Sequence, residues 1–328
     1  MKVTIETPSR LHFGLIDLNG ELGRINGSLG VALNYPNWKI RYYLDEEITN
    51  EAKLTKNTFL AIDRFNNYFK TKTQDLHIEI LQSIPNHIGL GSNTQFLLTL
   101  GTILAALNNI AVPPREIARA MKRGGTSGIG VAAFEKGGII LDGGHSFGPG
   151  KNTTDFLPSS VSSAPPPPVL FRHYPPNEWR FILITPKDGK GAHGKEEVSI
   201  FKESCPVPAE GVEKISRIIL MKILPALVEN DIKTFGEGIK DLQFKFPRFG
   251  MEKYSSGITS ELFDYLEKNK NIYGYGLSSF GPTIFALMNS DEKSKLLLAN
   301  LYENFKRTEF SLLSESTINN TGVQVEMK

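Results

Sequence analysis

The sequence predicts a two-domain α+β protein, and three observations lead to that expectation. The chain has 328 residues, which is more than one small core holds and is typical of two domains of about 150 residues each. Strand-like and helix-like apolar patterns alternate along both halves. Residues 146–168 are rich in proline, serine and glycine, which predicts an extended connector. We therefore expect one domain over residues 1–160 and a second over residues 161–328.

The first half combines strands with helices. Apolar residues alternate or recur at helical spacing in four successive segments, which predict two strands, a helix and a third strand. In chain order the four segments are KVTIET, NWKIRYYL, residues 53–70 and DLHIEILQ. A glycine-rich corner comes next, and the apolar residues after it recur at helical spacing. These residues are Phe96, Leu100, Ile103, Leu104 and Leu107.

Two further elements complete the predicted first half. PPREIARAMKRGG has proline at its start and glycine at its end, a pattern typical of a short helix. VAAFEKGGIILDGGH predicts two short strands joined by a tight turn at residues 136–138.

The second half returns to strands around a group of helices. Its first strand is predicted by WRFILITP, and helical patterns then cover residues 210–228, 231–244 and 258–268. Two strands, IYGYGLSS and TIFALM, follow the helices. This order predicts an α+β domain without internal repeats.

Charge and cysteine content exclude several classes of function. The formal net charge is only +2, so no electrostatic footprint indicates nucleic acid or a membrane surface. Cys205 is the only cysteine and the six histidines show no ligand spacing, which argues against a disulfide framework or a transition-metal site. The amino terminus lacks a signal-peptide pattern and the apolar runs are far shorter than the roughly 18 residues of a membrane span. We expect a cytoplasmic protein.

The corner PNHIGLGSNTQF, residues 85–96, carries the first functional signal. Gly89 and Gly91 permit positive φ and close backbone approach. The backbone N–H groups of residues 91–94 are therefore expected to converge on an anion at the start of the following helix, where the helix dipole adds partial positive charge. Ser92 and Gln95 have the spacing of a capping box, and a plain strand-to-helix turn is the alternative. Neither the Walker A pattern nor the dinucleotide-binding glycine pattern is present.

The same corner resembles a known phosphate loop. PNHIGLGSNT looks like the P-x-x-x-G-L-G-S-S-A motif of the GHMP kinase superfamily, and GYGLSSFGPTIFAL occupies the place of its carboxy-terminal glycine-rich motif. The resemblance implies an amino-terminal, ribosomal-protein-like α/β domain with a left-handed βαβ crossover. It also implies a ferredoxin-like α+β carboxy-terminal domain, with the ligand in the cleft between the two.

One position departs from the kinase pattern. Many of these kinases carry S-G-x-D, whose aspartate polarises the hydroxyl that is phosphorylated, whereas this chain reads TSGIG with Gly130 in that place. A positioned base typically contributes ~10²–10⁴-fold in rate, and glycine supplies none. The missing aspartate weakens the hypothesis of an ATP-dependent small-molecule kinase, which stays open as an alternative. A catalytically silent nucleotide-binding regulator is a further alternative.

One branch of the superfamily is matched by longer segments. They resemble the β-ribofuranosylaminobenzene 5′-phosphate synthase family of methanopterin biosynthesis. The matching segments are RLHFGLIDLNGELGRINGSLGVAL, GLGSNTQ, GGTSGIGVAAFEKGGIILDGGH, LPSSVSSAPPPPVL and SSFGPTIFAL. This resemblance implies a decarboxylating, phosphoribosyltransferase-type glycosyltransferase. It would condense 5-phosphoribosyl 1-pyrophosphate with 4-aminobenzoate or 4-hydroxybenzoate, with Mg²⁺ as cofactor, in a homodimer.

Six residues are expected at the catalytic centre. An arginine matches a carboxylate bidentately, so Arg10 or Arg24 is expected to hold the benzoate. A carboxylate and imidazole pair is expected from Asp142 and His145, with a structural loop as the alternative. For the remaining two the alternative is an ordinary strand edge. The six are Arg10, His12, Asp17, Arg24, Asp142 and His145.

A second group is expected to bind pyrophosphate or phosphate through backbone N–H groups and side chains. Ser92 and Thr94 are also candidate oxygen ligands of Mg²⁺. Structural alternatives exist for the last three segments: a helix C-cap, a solvated loop and an ordinary turn. The group comprises Gly89, Gly91, Ser92, Asn93, Thr94, Gly125, Thr126, Ser127, Gly128, Lys190, His193, Ser278, Ser279 and Gly281.

Overall fold

The computed structural model describes residues 2–43, 55–73, 76–189, 191–192, 194–244 and 257–327. The strands are β1 Lys2–Asp17, β2 Arg24–Tyr43, β3 Ile78–Gln82, β4 Ile139–Asp142, β5 His145–Ser146, β6 Val169–His173, β7 Arg180–Pro186, β8 Gly274–Leu277, β9 Ile284–Met288, β10 Phe310–Thr317 and β11 Gln324–Met327. The helices are α1 Lys56–Phe69, α2 Ser92–Leu107, α3 Pro114–Ala120, α4 Ile129–Lys136, α5 Lys195–Ser204, α6 Ala209–Ile218, α7 Leu224–Val228, α8 Ile232–Phe244, α9 Gly257–Lys268 and α10 Asp291–Asn304. A π-helical turn, Ile219–Ile223, joins α6 to α7.

The first sheet has seven antiparallel strands built around two long ones. Its order is β11-β1-β2-β4-β6, with β3 and β5 also paired to β2. Strands β1 and β2 pair from Lys2 opposite Tyr43 to Asp17 opposite Asn26. Two strands of this sheet, β6 and β11, come from beyond residue 160. Sheet membership therefore does not divide at that residue, and the domain limits stay a prediction.

The second sheet has four antiparallel strands in the order β10-β7-β9-β8. WRFILITP, IYGYGLSS and TIFALM supply β7, β8 and β9, as the sequence predicted. The helical patterns predicted over 210–228, 231–244 and 258–268 are also present, as α6 to α9 with their π-helical turn. A small core of apolar side chains, including Ile182, Leu262 and Leu301, fills the space between this sheet and its helices.

The strand predicted over VAAFEK is wrong, because these residues form most of helix α4. Every residue from Ile129 to Phe134 is buried, so the apolar run carries no period that separates a helix from a strand. Gly137 ends the helix with φ of 62°, a conformation that favours glycine. The predicted turn therefore joins a helix to β4 instead of joining two strands.

The proline-rich segment is a packed part of the structure rather than an extended connector. Its Ser162 hydroxyl donates to the carbonyl of Gly125 at 2.6 Å, and the Leu157 carbonyl accepts from the Thr126 hydroxyl at 2.6 Å. Pro166 lies so close to Gly124 that an added Cβ there would be 3.0 Å from its Cα. Residues 157–167 thus support the loop that precedes α4.

An aromatic cluster joins the two sheets. Phe13 of β1 is 2% exposed, and its ring centroid lies 5.2 Å from that of Phe285 in β9 and 6.2 Å from that of Phe181 in β7. Phe235 of α8 completes the cluster with a centroid 6.3 Å from that of Phe13. One strand of the first sheet therefore buries its side chain in the core of the second half, which fixes the walls of the cleft between them.

We expect Phe13→Ala to lower the free energy of unfolding by about 3–5 kcal/mol, because it leaves a cavity where the two sheets meet. Urea denaturation monitored by circular dichroism measures the change. Leu22→Ala is the control, since Leu22 is 89% exposed and such substitutions change stability by about 0.5 kcal/mol or less. Equal stability of the two variants would contradict a core shared by both sheets.

Candidate active site

A cleft of about 740 Å³ lies between the two halves of the molecule. Its walls come from β1, the phosphate loop, the 123–130 segment, α1, α5 and the turn after β8. Ten of the residues predicted from sequence line it: Arg10, His12, Gly89, Gly91, Ser92, Asn93, Thr94, Thr126, Ser127 and Ser279. Several distant motifs therefore meet in one place.

The predicted phosphate loop forms the start of α2. Gly91 has φ of 80° and is the N-cap, with no side-chain cap. Because residues 91–94 line the cleft, the N–H groups of the first helical turn are left available for an anion there. The capping box predicted for Ser92 and Gln95 is wrong, because Ser92 is already the first helical residue. Its hydroxyl instead donates to the carbonyl of Ile84 at 2.7 Å and lies 2.9 Å from Asn86 Oδ1.

Gly89 brings the loop against the turn after β8. Its φ is 83°, and an added Cβ would lie 2.5 Å from the carbonyl oxygen of Ser278 and 3.0 Å from that of Gly281. The Ser278 hydroxyl donates to the Gly89 carbonyl at 2.7 Å. Ser278 and Gly281 thus hold the loop in position from behind, while Ser279 reaches the cleft wall.

Two arginines contact the phosphate loop at different residues. Arg10 packs along Gly91 and donates to the carbonyl of Gly89, and Arg123 donates to the Thr94 hydroxyl at 3.0 and 3.2 Å. Burial lowers the pKa of Arg10 to about 10, with a smaller contribution from the positive charge of Arg123. Burial likewise lowers the pKa of Arg123. Two partly desolvated cations beside helix N–H groups make a strong site for an anion.

The cleft has one carboxylate among its described lining residues, Glu197 of α5. Its negative charge raises the pKa of both Arg10 and Arg123, against the larger effect of burial. Ser160 of the proline-rich segment donates to Glu197 Oε2 at 3.5 Å. The charge of the cleft near the phosphate loop is therefore net positive, with Arg64 of α1 as a third lining arginine.

His12 is a neutral, buried imidazole on the cleft wall. It is 7% exposed, and burial together with the charge of Arg10 lowers its pKa to about 3. The ring atom Nδ1 is buried without a hydrogen-bond partner among the described residues. The backbone of His12 is fixed, since its N–H donates to Ser278 Oγ at 3.1 Å and its carbonyl accepts from Ser279 N–H at 2.9 Å.

Asp142 is buried behind the cleft and holds the 125–128 loop. Its Oδ2 accepts from Gly128 N–H at 2.8 Å and from the Ser28 hydroxyl, and its Oδ1 accepts from Gly144 N–H at 3.0 Å. Burial raises the pKa of Asp142 to about 6, although these hydrogen bonds favour the charged form. Ser28 in turn lies 2.7 Å from the hydroxyl of Ser127, which reaches the cleft.

The predicted pairing of Asp142 with His145 is wrong. His145 Nε2 lies 2.9 Å from the carbonyl of Pro165, which requires the imidazole to donate there, and Nδ1 accepts from Asn26 Nδ2 at 3.1 Å. Its two ring nitrogens therefore fasten the proline-rich segment to β2. The structure has the alternative that the sequence left open: a loop whose histidine makes hydrogen bonds through both ring nitrogens.

Three more predicted catalytic residues lie outside the residues lining the cleft. Asp17 accepts from the N–H groups of Asn19 and Gly20 at 2.8 and 3.0 Å, which closes a turn. Arg24 donates to the carbonyls of Gly143 and Gly144, both at 3.1 Å. Asp142, as described above, is buried behind the residues that line the cleft and holds the 125–128 loop.

Four described residues that were predicted to bind phosphate are not on the cleft wall either: Gly125, Gly128, Ser278 and Gly281. Gly125 and Gly128 pack against the proline-rich segment, where an added Cβ would lie 2.6 Å from Ser162 Oγ and 2.7 Å from Pro167 Cγ respectively. Lys190 and His193 lie outside the described residues.

The cleft also has aromatic walls, which the sequence reasoning did not include. The ring centroids of Trp38 and Phe96 lie 5.2 Å apart, and those of a second pair, Phe201 and Phe280, lie 6.3 Å apart. All four line the cleft. Such walls suit a flat, apolar ring.

The described residues contain no group of three or more His, Cys, Asp or Glu side chains placed to hold a metal ion. Among them there is also no helix long and apolar enough to cross a membrane.

Fold and site together define a member of the GHMP kinase superfamily. Residues 53–138 match the model of the GHMP kinases N terminal domain, and residues 223–307 match that of the GHMP kinases C terminal. A homoserine kinase from Cytophaga hutchinsonii has TM-score 0.66 at 16% identity, over 99% of this chain and 97% of its own. A mevalonate diphosphate decarboxylase from Staphylococcus aureus has TM-score 0.67 at 13% identity, over 99% and 98%. The predicted two-domain fold is confirmed.

The more specific assignment comes from closer relatives. The chain is 44% identical over 297 residues to the β-ribofuranosylphenol 5′-phosphate synthase of Methanocaldococcus jannaschii, covering 86% of this chain and 88% of the relative. It is 39% identical over 310 residues to the synthase of the same name from Methanothermobacter thermautotrophicus, covering 89% and 90%. The chain belongs to the β-ribofuranosylphenol 5′-phosphate synthase family. This family assignment confirms the resemblance seen in the sequence.

We expect Arg123→Ala to weaken the binding of inorganic pyrophosphate by roughly 10–10²-fold, the usual effect of losing a charge-assisted hydrogen bond. Isothermal titration calorimetry measures the dissociation constant. Arg119→Ala is the matched control, because Arg119 lies in the adjacent helix α3 and pairs with Glu116 at the surface. An unchanged affinity in Arg123→Ala would remove this arginine from the anion site.

Proposed function

We propose that this chain condenses 5-phosphoribosyl 1-pyrophosphate with a para-substituted benzoate and releases CO₂ and pyrophosphate. The product is a β-ribofuranosyl-benzene 5′-phosphate, a precursor in methanopterin biosynthesis. The observation that carries the proposal is the anion site formed by the N–H groups of residues 91–94, Arg10 and Arg123, in a chain of this family. The relatives' name specifies a phenol, which favours 4-hydroxybenzoate over 4-aminobenzoate as the acceptor.

The geometry supports a leaving diphosphate at the phosphate loop. Negative charge develops on the diphosphate as the bond to the anomeric carbon breaks, and the helix N–H groups with Arg10 and Arg123 stabilise that charge. The anomeric carbon gains oxocarbenium character, and the ring carbon that bears the carboxylate attacks it from the opposite face. The new carbon–carbon bond gives the β product, and loss of CO₂ then restores the aromatic ring.

The residues around Gly130 argue against kinase activity. An added Cβ at Gly130 would lie 3.0 Å from Thr94 Cγ2, so the aspartate that many kinases carry there would require the Thr94 side chain to shift. The attacking atom in the synthase reaction is a carbon, and no alcohol has to be deprotonated for phosphorylation. The lack of this base thus suits the synthase and not the kinase.

For Mg²⁺, the lining residues fit a metal carried mainly by the diphosphate. Thr94 does not suit a cation, because its hydroxyl oxygen accepts two hydrogen bonds from Arg123. Glu197 supplies a carboxylate on the wall, and Ser92 supplies an oxygen whose proton is donated to Ile84. Mg²⁺ commonly binds through one or two protein ligands plus substrate phosphates, and it would neutralise charge on the departing diphosphate. Assembly as a homodimer and a cytoplasmic location stay predictions.

We expect labelled CO₂ to be released from carboxyl-labelled 4-hydroxybenzoate only when phosphoribosyl pyrophosphate is also present. Scintillation counting of trapped CO₂ measures the reaction, and release should match the pyrophosphate formed. As a control, ATP with assorted alcohols should give no ADP. ADP formation without CO₂ release would support the kinase instead.

We expect chelation with EDTA to lower this CO₂ release by at least about 10²-fold, comparable with the loss of a charge-stabilising group. Excess Mg²⁺ should restore it. The untreated enzyme without chelator is the reference. Full turnover in EDTA, verified by metal analysis of the same sample, would exclude Mg²⁺ as a cofactor.

A further inference from the structure

Three side chains form a continuous hydrogen-bonded chain from the protein interior to the cleft. Ser28 of β2 donates its hydroxyl proton to Asp142 Oδ2, and the hydroxyls of Ser28 and Ser127 are 2.7 Å apart. Asp142 and Ser28 are fully buried, whereas Ser127 is partly exposed and lines the cleft. This series of hydrogen bonds therefore runs from a buried carboxylate to the wall of the cleft.

The direction of these hydrogen bonds is fixed. A hydroxyl has a single proton, and that of Ser28 is donated to Asp142. Ser127 must therefore donate its own proton to Ser28, which leaves its oxygen able to act only as an acceptor toward the cleft. One of its acceptor positions takes the N–H of Ile129 at 3.3 Å, which leaves the other for a group bound in the cleft that Ser127 lines. Ser127 is thus unsuited to bind phosphate, which needs donors.

A ligand hydroxyl or amine is the group that such an acceptor would meet. In the proposed reaction two sources exist, the ribose hydroxyls and the para substituent of the acceptor ring. A ribose hydroxyl needs only an acceptor. The phenol must also give up its proton while the ring carbon attacks, and a chain that ends at a carboxylate can take that proton.

Resting on the proposed function, we propose that Ser127, Ser28 and Asp142 form a proton relay for the phenolic hydroxyl of 4-hydroxybenzoate. As the ring carbon bonds to the anomeric carbon, the phenol proton passes to Ser127, that of Ser127 to Ser28, and that of Ser28 to Asp142. The ring becomes a neutral dienone. When the bond to the carboxylate breaks, its electron pair returns to the ring, CO₂ leaves, and the phenoxide recovers its proton along the same path.

The environment of Asp142 fits the inner end of this relay. Burial raises its pKa to about 6, so it takes up a proton more readily than an exposed aspartate does. The N–H groups of Gly128 and Gly144 hold the carboxyl group in place. His12 is a weaker base on the same wall, since burial and Arg10 lower its pKa to about 3. Ser127 would be the catalytic residue, and Ser28 and Asp142 would act through it.

The test compares two acceptors in four variants. The acceptors are 4-hydroxybenzoate and 3,5-difluoro-4-hydroxybenzoate, whose more acidic phenol is largely ionised at mildly alkaline pH and needs no base. We expect Ser127→Ala and Ser28→Ala to lose roughly 10²–10⁴-fold in kcat with 4-hydroxybenzoate and less than about 10-fold with the fluorinated acceptor, each relative to the native enzyme. Ser127→Thr, which keeps a hydroxyl, should recover most of the activity.

The control is Ser162→Ala, which removes a buried hydroxyl of the proline-rich segment that supports the same 125–128 loop, without touching the relay. It should show no difference between the two acceptors. Equal losses with both acceptors in Ser127→Ala would overturn the relay and leave a structural role. A change confined to KM for phosphoribosyl pyrophosphate would overturn it in favour of a ribose contact.

These outcomes are separate from a failure of the proposed function. If the native enzyme releases no CO₂ from either acceptor, the function itself is wrong. If Ser28→Ala does not fold, as judged by circular dichroism, Ser127→Ala tests the relay. Ser127 lies on the cleft wall, whereas Ser28 is buried.

Discussion

The carbonyl oxygen of Gly89 is the point on which the site depends. It accepts from the Ser278 hydroxyl at 2.7 Å and from the Arg10 guanidinium, so the phosphate loop, the turn after β8 and strand β1 meet there. Ser278 also accepts from the N–H of His12. Such a close approach of backbones leaves no space for a Cβ and requires positive φ, which together demand glycine. The arrangement of Arg10 beside the phosphate loop depends on these three elements being held at this distance.

The same constraint explains which parts of the site were visible in the sequence. A glycine corner before a long apolar helix is a local signal, and Gly89, Gly91 and residues 92–94 could be predicted from it. The motif around Ser278 could be predicted only through its resemblance to a family. The local sequence pattern alone predicts an ordinary turn there. The segment contributes to the site only through its contact with the phosphate loop, about 190 positions earlier in the chain.

Other residues of the cleft give no local signal. Arg123 follows α3 among basic residues that are typical of a helix end. Only the fold brings its side chain to Thr94. Glu197 and Phe201 lie on α5, a helix that the sequence reasoning did not predict. Conversely, Arg24 and His145 are polar residues in long family-like motifs, yet they satisfy backbone carbonyls. Burial of a polar side chain thus indicates architecture as readily as chemistry.

The elements that were missed or mistaken have a similar cause. Helix α4 is buried along its whole first part, so its apolar residues show no amphipathic period. Strand β11 has four exposed residues and joins the first sheet by pairing with β1. That pairing is decided by a partner at the far end of the chain. Local propensity cannot predict a strand of this kind.

Thr94 lies at one of the positions where this chain departs from the superfamily motifs. In the superfamily motif G-L-G-S-S-A its position is alanine, and in S-G-x-D the position of Gly130 is aspartate. Here the two differences are complementary: the methyl group of Thr94 occupies the space beside Gly130, where an added Cβ would lie 3.0 Å from it. The Thr94 hydroxyl meanwhile holds Arg123 over the loop. One side chain thus fills the space beside Gly130 and also positions a cation. A site with arginines beside the loop and no carboxylate at position 130 favours departure of a diphosphate over activation of an alcohol, because its charge is positive and it has no base there.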